Sequence, residues 1–311
     1  MGEAPPGAGK TTAVPLALLE ADWLAGHKIL LLEPRRMAAR AAAERMASLL
    51  GEKTGQTVGY RIRQDARVGP ATRIEVITEG ILTRMLQSDP SLAGVGLLVF
   101  DEFHERNLDS DLGLALALQG RSLYRDKDLP LKVLVMSATL DGERIAGLLD
   151  NAPLIRSRGK AFPVALHYGA PWQPGASIIE PALATIQQAL AETTGSVLVF
   201  LPGQGEIQRL ARALGGVLQE GVELAPLYGG LGLAEQRRAI APAPEGKRKL
   251  VLATNIAETS LTIEGITTVV DCGLERQPKF DPATAMTRLH TRRISRSSSV
   301  QRMGRAGRLA A

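Results

Sequence analysis

Short apolar runs alternate with longer amphipathic stretches along this chain. Residues 29–32, 97–100 and 133–136 are runs of this kind, which predicts buried strands, and residues 73–78 look like another strand. Residues 37–50, rich in Ala and Arg, and residues 80–87 carry helical spacing between them. Strand and helix in alternation predict a doubly wound α/β domain around a mostly parallel sheet. The pattern breaks over residues 150–164, a link holding Pro, Gly and Arg. It then restarts with a helix near 178–192 and strands at 197–201, 250–253 and 268–270. The expected fold class is therefore α/β, in two tandem units of similar size, 1–158 and 159–311, with a cleft between them. Residues 279–288 predict a β-hairpin in the second unit, turned at Asp281-Pro282.

Composition narrows the class without naming a function. A chain of 311 residues suits two domains, each with its own core, and 45% hydrophobic against 22% charged residues is globular usage. No apolar stretch is long enough to span a bilayer, and no signal peptide precedes the first motif, so a cytoplasmic protein is expected. The single Cys272 excludes an internal disulfide and a zinc cluster, and reads as a small buried side chain. Charge is uneven. Residues 273–311 hold nine Lys/Arg against two Asp/Glu, a net of +7 in a chain whose total is +5. Such a segment favours a polyanionic partner; the plain alternative is a solvated basic face.

The candidate chemistry sits where the apolar runs stop. Leu97-Leu98-Val99-Phe100 ends abruptly in Asp101-Glu102-Phe103-His104. Open α/β sheets bind ligands beyond the carboxyl ends of their strands. Adjacent carboxylates there suit a metal-bound nucleotide, Asp101 for Mg²⁺ and Glu102 for the attacking water, although acids also cap helices. Ala4-Pro5-Pro6-Gly7-Ala8-Gly9-Lys10-Thr11 reads as a phosphate loop with alanine in place of the first glycine. Its glycines let amides turn toward phosphate, Lys10 neutralises charge and the Thr11 hydroxyl suits Mg²⁺. The helix starting near Thr11 would point its positive end at the same anion. The alternative is a Gly/Pro turn capping a helix.

Three further motifs gain meaning from their order. Ser137-Ala138-Thr139 follows the next strand, where alone it would be only a turn or cap. Thr254-Asn255 opens a strand-end loop whose hydroxyl and amide suit a phosphodiester backbone, or a capped helix start. Gln301-Arg302-Met303-Gly304-Arg305-Ala306-Gly307-Arg308 spaces Arg305 and Arg308 for one helix face, as arginine fingers or as a solvated basic helix.

In this order the motifs resemble the DEAH-box class of superfamily 2 helicases over essentially the whole chain, and within it the bacterial HrpB type. Glu33-Pro34-Arg35-Arg36, Thr78-Glu79-Gly80, Asp101-Glu102-Phe103-His104-Glu105-Arg106, Phe200-Leu201-Pro202-Gly203 and Arg292-Arg293-Ile294-Ser295 carry the resemblance. Phe103 replaces the alanine that names the class, as in the HrpB type. The resemblance implies two RecA-like domains, with ATP and Mg²⁺ between them and a single strand across both. It implies that Pro6, Gly7, Ala8, Gly9, Lys10, Thr11 and Thr12 hold the nucleotide, with Arg45 stacked on its base. Thr11, Asp101 and Glu102 would hold the metal. Lys10, Asp101 and Glu102 would be catalytic from the first domain, and Gln301, Arg305 and Arg308 from the second. His104, Ser137 and Thr139 would couple hydrolysis to strand movement. Arg35, Arg36, Thr78, Thr254 and Asn255 would contact the nucleic acid.

There are departures from the family pattern. Ala285 stands where the hairpin usually has glycine. The phosphate loop ordinarily follows a strand, and with three residues before Ala4 that first strand is expected to be missing. Family members continue into winged-helix and further domains, whereas this chain stops three residues after Arg308. The expected protein is an ATP-dependent helicase motor core, directed at RNA ahead of DNA, with no membrane partner and protein partners unknown. The alternatives are an RNA-stimulated ATPase that remodels ribonucleoprotein without unwinding, and an inactive fragment.

Overall fold

The computed structural model describes residues 2–3, 9–105, 107–126, 128, 130–137, 142–157, 162–169, 172–173, 175–258 and 263–307. The chain divides into two compact units, residues 1–160 and 161–311.

The first unit runs β1 (Gly2–Glu3), α1 (Lys10–Leu18), β2 (Lys28–Leu32), α2 (Arg36–Leu49), β3 (Val58–Ile62), β4 (Asp65–Arg67), β5 (Ile74–Ile77), α3 (Glu79–Ser88), β6 (Val95–Phe100), α4 (Leu108–Tyr124), β7 (Lys132–Ser137), α5 (Gly142–Leu148) and β8 (Ile155–Arg156). Among the described residues its sheet has eight strands in the order β4-β3-β5-β2-β6-β7-β1-β8. All pairs are parallel except β3 with β4. The apolar runs are continuous because the central strands are covered on both faces. Leu30, Leu32, Leu98 and Phe100 pack on one side with Leu82, Leu86, Leu114 and Ala117 of α3 and α4. Ile29, Leu31, Leu97 and Val99 pack on the other with Ala39, Ala43, Met46 and Ala47 of α2. The small side chains of α2, repeating every four residues, bring that helix close to the sheet.

The expected missing strand is corrected here. Gly2–Glu3 forms a strand, with Gly2 opposite Met136 and Ile155 and Glu3 opposite Ser137 and Arg156. Two residues suffice because the slot has a parallel partner on each side. Strands β3 and β4 fell outside the sequence expectation.

The second unit runs α6 (Ile179–Glu192), β9 (Ser196–Phe200), α7 (Gln204–Leu214), β10 (Val222–Leu227), α8 (Leu233–Ile240), β11 (Arg248–Ala253), β12 (Ile266–Asp271), β13 (Leu274–Asp281), β14 (Met286–Arg293) and α9 (Arg296–Met303). Its parallel sheet has the order β10-β11-β9-β12. Strand β10 escaped the hydrophobic pattern because it is an edge strand, partly exposed and interrupted by Pro226. The predicted hairpin is β13 with β14, longer than expected, and every residue of β14 is exposed. Its turn is held by Asp281, which accepts hydrogen bonds from the Ala283 amide at 3.0 Å and the Thr284 hydroxyl at 2.9 Å. Ala285, standing where glycine was expected, takes the left-handed conformation at φ 51°. The turn keeps a glycine geometry at a cost of about 1–2 kcal/mol to the alanine.

Candidate active site

Pairing of β2 with β6 sets the candidate site of the first unit. Leu32 lies opposite Phe100, so the next residue of each strand, Glu33 and Asp101, emerges at the same sheet edge. The Asp101 amide donates to the Leu32 carbonyl at 3.1 Å and the Glu33 amide to the Ile77 carbonyl at 2.9 Å. The Thr11 hydroxyl, in the first turn of α1, donates to Asp101 Oδ2. The Glu102 amide donates to Asp101 Oδ1 at 2.8 Å. Gly9 caps α1 in the left-handed conformation at φ 72° and makes no side-chain hydrogen bond there. Glycine alone takes that conformation without strain.

The electrostatics of this cluster favour a cation. Burial, then the charge of Glu102, pushes the Asp101 carboxyl up to about 6, against the Thr11 hydrogen bond and Lys10. Glu33 is raised well above the ordinary range by its burial, then by the charges of Asp101, Glu102 and Glu105, and it is hydrogen-bonded to Asp101. Its Oε2 is buried without a hydrogen-bond partner. Carboxyls this short of compensation fit a site that receives positive charge. Among the described residues no three carboxylate, imidazole or thiol side chains form a cage for a metal.

Glu102 itself stands in the left-handed region at φ 48°. A non-glycine residue held there costs about 1–3 kcal/mol, and such positions cluster at functional sites. Its carboxylate lies 3.5 Å from His104 Nδ1. Phe103 does different work. It is buried and packs edge-on to Phe100, with centroids 6.0 Å apart, so the residue that departs from the class name is a core residue.

The raised Asp101 carboxyl has a measurable consequence. The folded chain binds this proton more readily than the unfolded chain, so stability falls as pH rises from about 4 to 6 and stays lowered above that. Asp101→Asn removes the penalty. Melting at pH 8 should rise by a few °C, and the gain should vanish below about pH 4. A lower melting temperature for the variant at pH 8 would contradict the assignment.

The residues expected to contact a strand stand at the starts of the flanking elements. Arg35 precedes α2 as its N-cap, and Arg36 is the exposed first residue of that helix. Thr78 precedes α3, and its side chain makes no capping hydrogen bond. Arg45 stands on the exposed face of α2, where its placement leaves base stacking to the resemblance alone. Thr12 lies in the first turn of α1, and Ser137 is fully buried at the end of β7. Pro6, Gly7, Ala8, Thr139 and Arg308 lie outside the described residues.

The corresponding cluster of the second unit is built around Arg302, which is 0% exposed. Its Nε donates to Glu258 Oε2 at 2.8 Å and its Nη1 to Asp271 Oδ1 at 2.9 Å. The guanidinium lies over the Phe200 ring, 4.8 Å from its centroid. Burial works against its charge, but Asp271 and Glu258 outweigh that and hold it protonated. Glu258 also accepts from the Ser298 hydroxyl at 2.5 Å, and its carbonyl accepts from Arg305 Nε at 3.0 Å. Gln301, partly buried, lies on α9. The expectation of Arg305 on a helix is corrected. Helix α9 ends at Met303 with Gly304 as its cap, and Arg305 follows in the turn. A Cβ on Gly307 would lie 2.7 Å from the Phe162 carbonyl oxygen, so that turn passes too close to the chain for any other residue. Thr254 caps the short 3-10 turn Asn255–Ala257, and Asn255 is exposed.

Comparison with known proteins agrees with this geometry. The DEAD/DEAH box helicase family matches residues 1–147, and the helicase conserved C-terminal domain matches residues 181–310. The chain is 55% identical over 306 residues to the ATP-dependent RNA helicase HrpB of Escherichia coli K12, covering 98% of this chain and 37% of that protein. The chain belongs to the DEAH-box helicases, in their HrpB-type branch. A crystal structure of the E. coli DEAH/RHA helicase HrpB superposes with a TM-score of 0.91 at 54% identity, over 99% of this chain and 39% of that one. A structure of the E. coli DExH-box NTPase HrpB gives 0.84 at 53%, over 100% and 38%. The chain thus spans little more than a third of these relatives. Its two α/β units are the tandem RecA-like domains of that family.

Sequence reasoning missed Glu33, Glu258, Asp271 and Arg302. Arg302 sits inside the motif that was read for Arg305, and Glu33 inside one quoted for the resemblance. Their burial and partners depend on pairings no linear spacing displays.

Proposed function

We propose that this chain is the ATP-hydrolysing motor core of a nucleic acid helicase acting on RNA ahead of DNA, with residues 1–158 and 159–311 as its two motor domains and the cytoplasm as its setting. The observation that carries this reading is the buried Asp101, bound by the Thr11 hydroxyl and beside Lys10 at the start of a helix. ATP is the substrate. Thr11 and Asp101 would hold Mg²⁺, which would supply charge neutralisation on the phosphate oxygens. Lys10 and the amino end of α1 bind the phosphate charge. Glu102 orients the attacking water and takes up its proton. Arg305 and Arg308 neutralise charge that develops on the transferred phosphoryl group, and Gln301 offers it a hydrogen bond. Arg35, Arg36, Thr78, Thr254 and Asn255 hold the backbone of a single strand, which positions it without reading its bases.

ATPase assays with matched RNA and DNA strands, beside a strand-displacement assay, test this. RNA should raise turnover about tenfold or more, and DNA less. Stimulation without displacement would favour remodelling of ribonucleoprotein over unwinding. No turnover with either strand would overturn the reading.

A further inference from the structure

The segment that follows the catalytic pair is tied to both strand-contacting loops of the first unit. Glu105 forms an ion pair with Arg35, with both carboxylate oxygens 3.5 Å from Nη2. The pair is partly open, the side chains being 27% and 19% exposed. Five residues after Glu102 the tie is of another kind. Glu79, next to Thr78 and buried, accepts from Asn107 Nδ2 at 2.8 Å and from the Ser110 hydroxyl. Asn107 in turn caps α4 by accepting from the Asp109 amide at 3.1 Å. The segment is therefore anchored in the core through Phe103 and Glu79, while Glu105 between them is held at its side chain by a part-exposed pair.

The part-exposed pair reports directly on Glu102. The Glu105 amide donates to the Glu102 carbonyl at 2.9 Å, so the two acids share one turn. Glu102 occupies the sparsely populated left-handed region, where a small rotation of the turn moves the carboxylate. A phosphodiester offers an Arg the same charge as a carboxylate and a better bidentate geometry than a pair at 3.5 Å.

We propose that Glu105 is a strand-sensing positioning residue: a phosphodiester that takes Arg35 releases Glu105, and the shared turn then shifts Glu102 toward its working position. This rests on the proposed function and names how strand binding within the first domain reaches hydrolysis. Nothing is transferred covalently; one guanidinium exchanges a carboxylate for a phosphate.

The test compares wild type, Glu105→Gln and Glu105→Asp by steady-state ATPase with and without single-stranded RNA, with melting temperature as a check on folding. Glu105→Gln breaks the pair permanently. Its RNA-free kcat should rise about threefold or more, its stimulation ratio should shrink correspondingly, and its KM for ATP should stay within about twofold. Glu105→Asp keeps the charge and should restore part of the ratio. Equal ratios in wild type and Glu105→Gln would overturn the proposal, and so would a parallel fall of both rates, which is what a merely structural residue would give. A wild type that hydrolyses ATP but shows no RNA stimulation overturns strand sensing while leaving the ATPase reading in place. A wild type with no turnover fails the functional reading itself.

Discussion

Glu102→Gln leaves ATP bound and nearly stops its hydrolysis. The amide keeps the size of the side chain and its place in the turn but cannot take a proton from water. Loss of general-base assistance costs about 10²- to 10⁴-fold in rate. Lys10 and Thr11 at the head of α1, the groups proposed to hold the nucleotide, are untouched. Nucleotide affinity should therefore stay within about threefold of wild type, because the interaction removed acts only in the transition state. Phosphate release gives the rate and a fluorescent-nucleotide titration gives the affinity. Wild-type turnover in the variant would remove Glu102 from the mechanism. Loss of binding would make it a structural carboxylate.

Arg302→Ala should cost the second unit the most stability of any single change at this site. The guanidinium is fully buried and neutralises both Glu258 and Asp271. Removing it leaves two acids short of their counter-ion and strips the cation from the Phe200 ring. Breaking a buried ion pair from one side costs about 3–5 kcal/mol. Arg305→Ala is the contrast. It removes a charge-assisted hydrogen bond to the Glu258 carbonyl, worth about 1.5–3 kcal/mol, and should abolish most turnover. Chemical denaturation of the two variants beside their ATPase rates separates the roles. A loss below about 1 kcal/mol for Arg302→Ala would show that the buried cluster is not what holds the motif in place.

The two arginines also show where sequence reading stops. Both lie in one short motif, and spacing suggested a shared helical face for Arg305 and Arg308. The helix ends before Arg305, because Gly304 caps it and the following turn runs against the Phe162 carbonyl. Arg302, which drew no attention in the sequence, is the residue the fold buries. Arginine is normally exposed, so nothing in its neighbours foretells that Glu258 and Asp271 will meet it from 44 and 31 residues away.

Patterning alone was enough for the α/β class, the paired units, the hairpin and the positions of Lys10, Thr11, Asp101 and Glu102. Each of these is a local signal. A strand covered on both faces must be apolar along its length, and a phosphate loop needs glycine and lysine at fixed steps. Tertiary structure was needed for the short first strand, for the buried Glu33 beside Asp101, for the Glu105–Arg35 tie and for the Arg302 cluster. These arise from strand register and from which strand ends lie side by side. The pairing of Leu32 with Phe100 places Glu33 against Asp101, and a slip of one residue would have turned that acid to the other face. Register is a property of the assembled sheet, which is why the candidate residues could be picked out along the chain but their electrostatic setting could not.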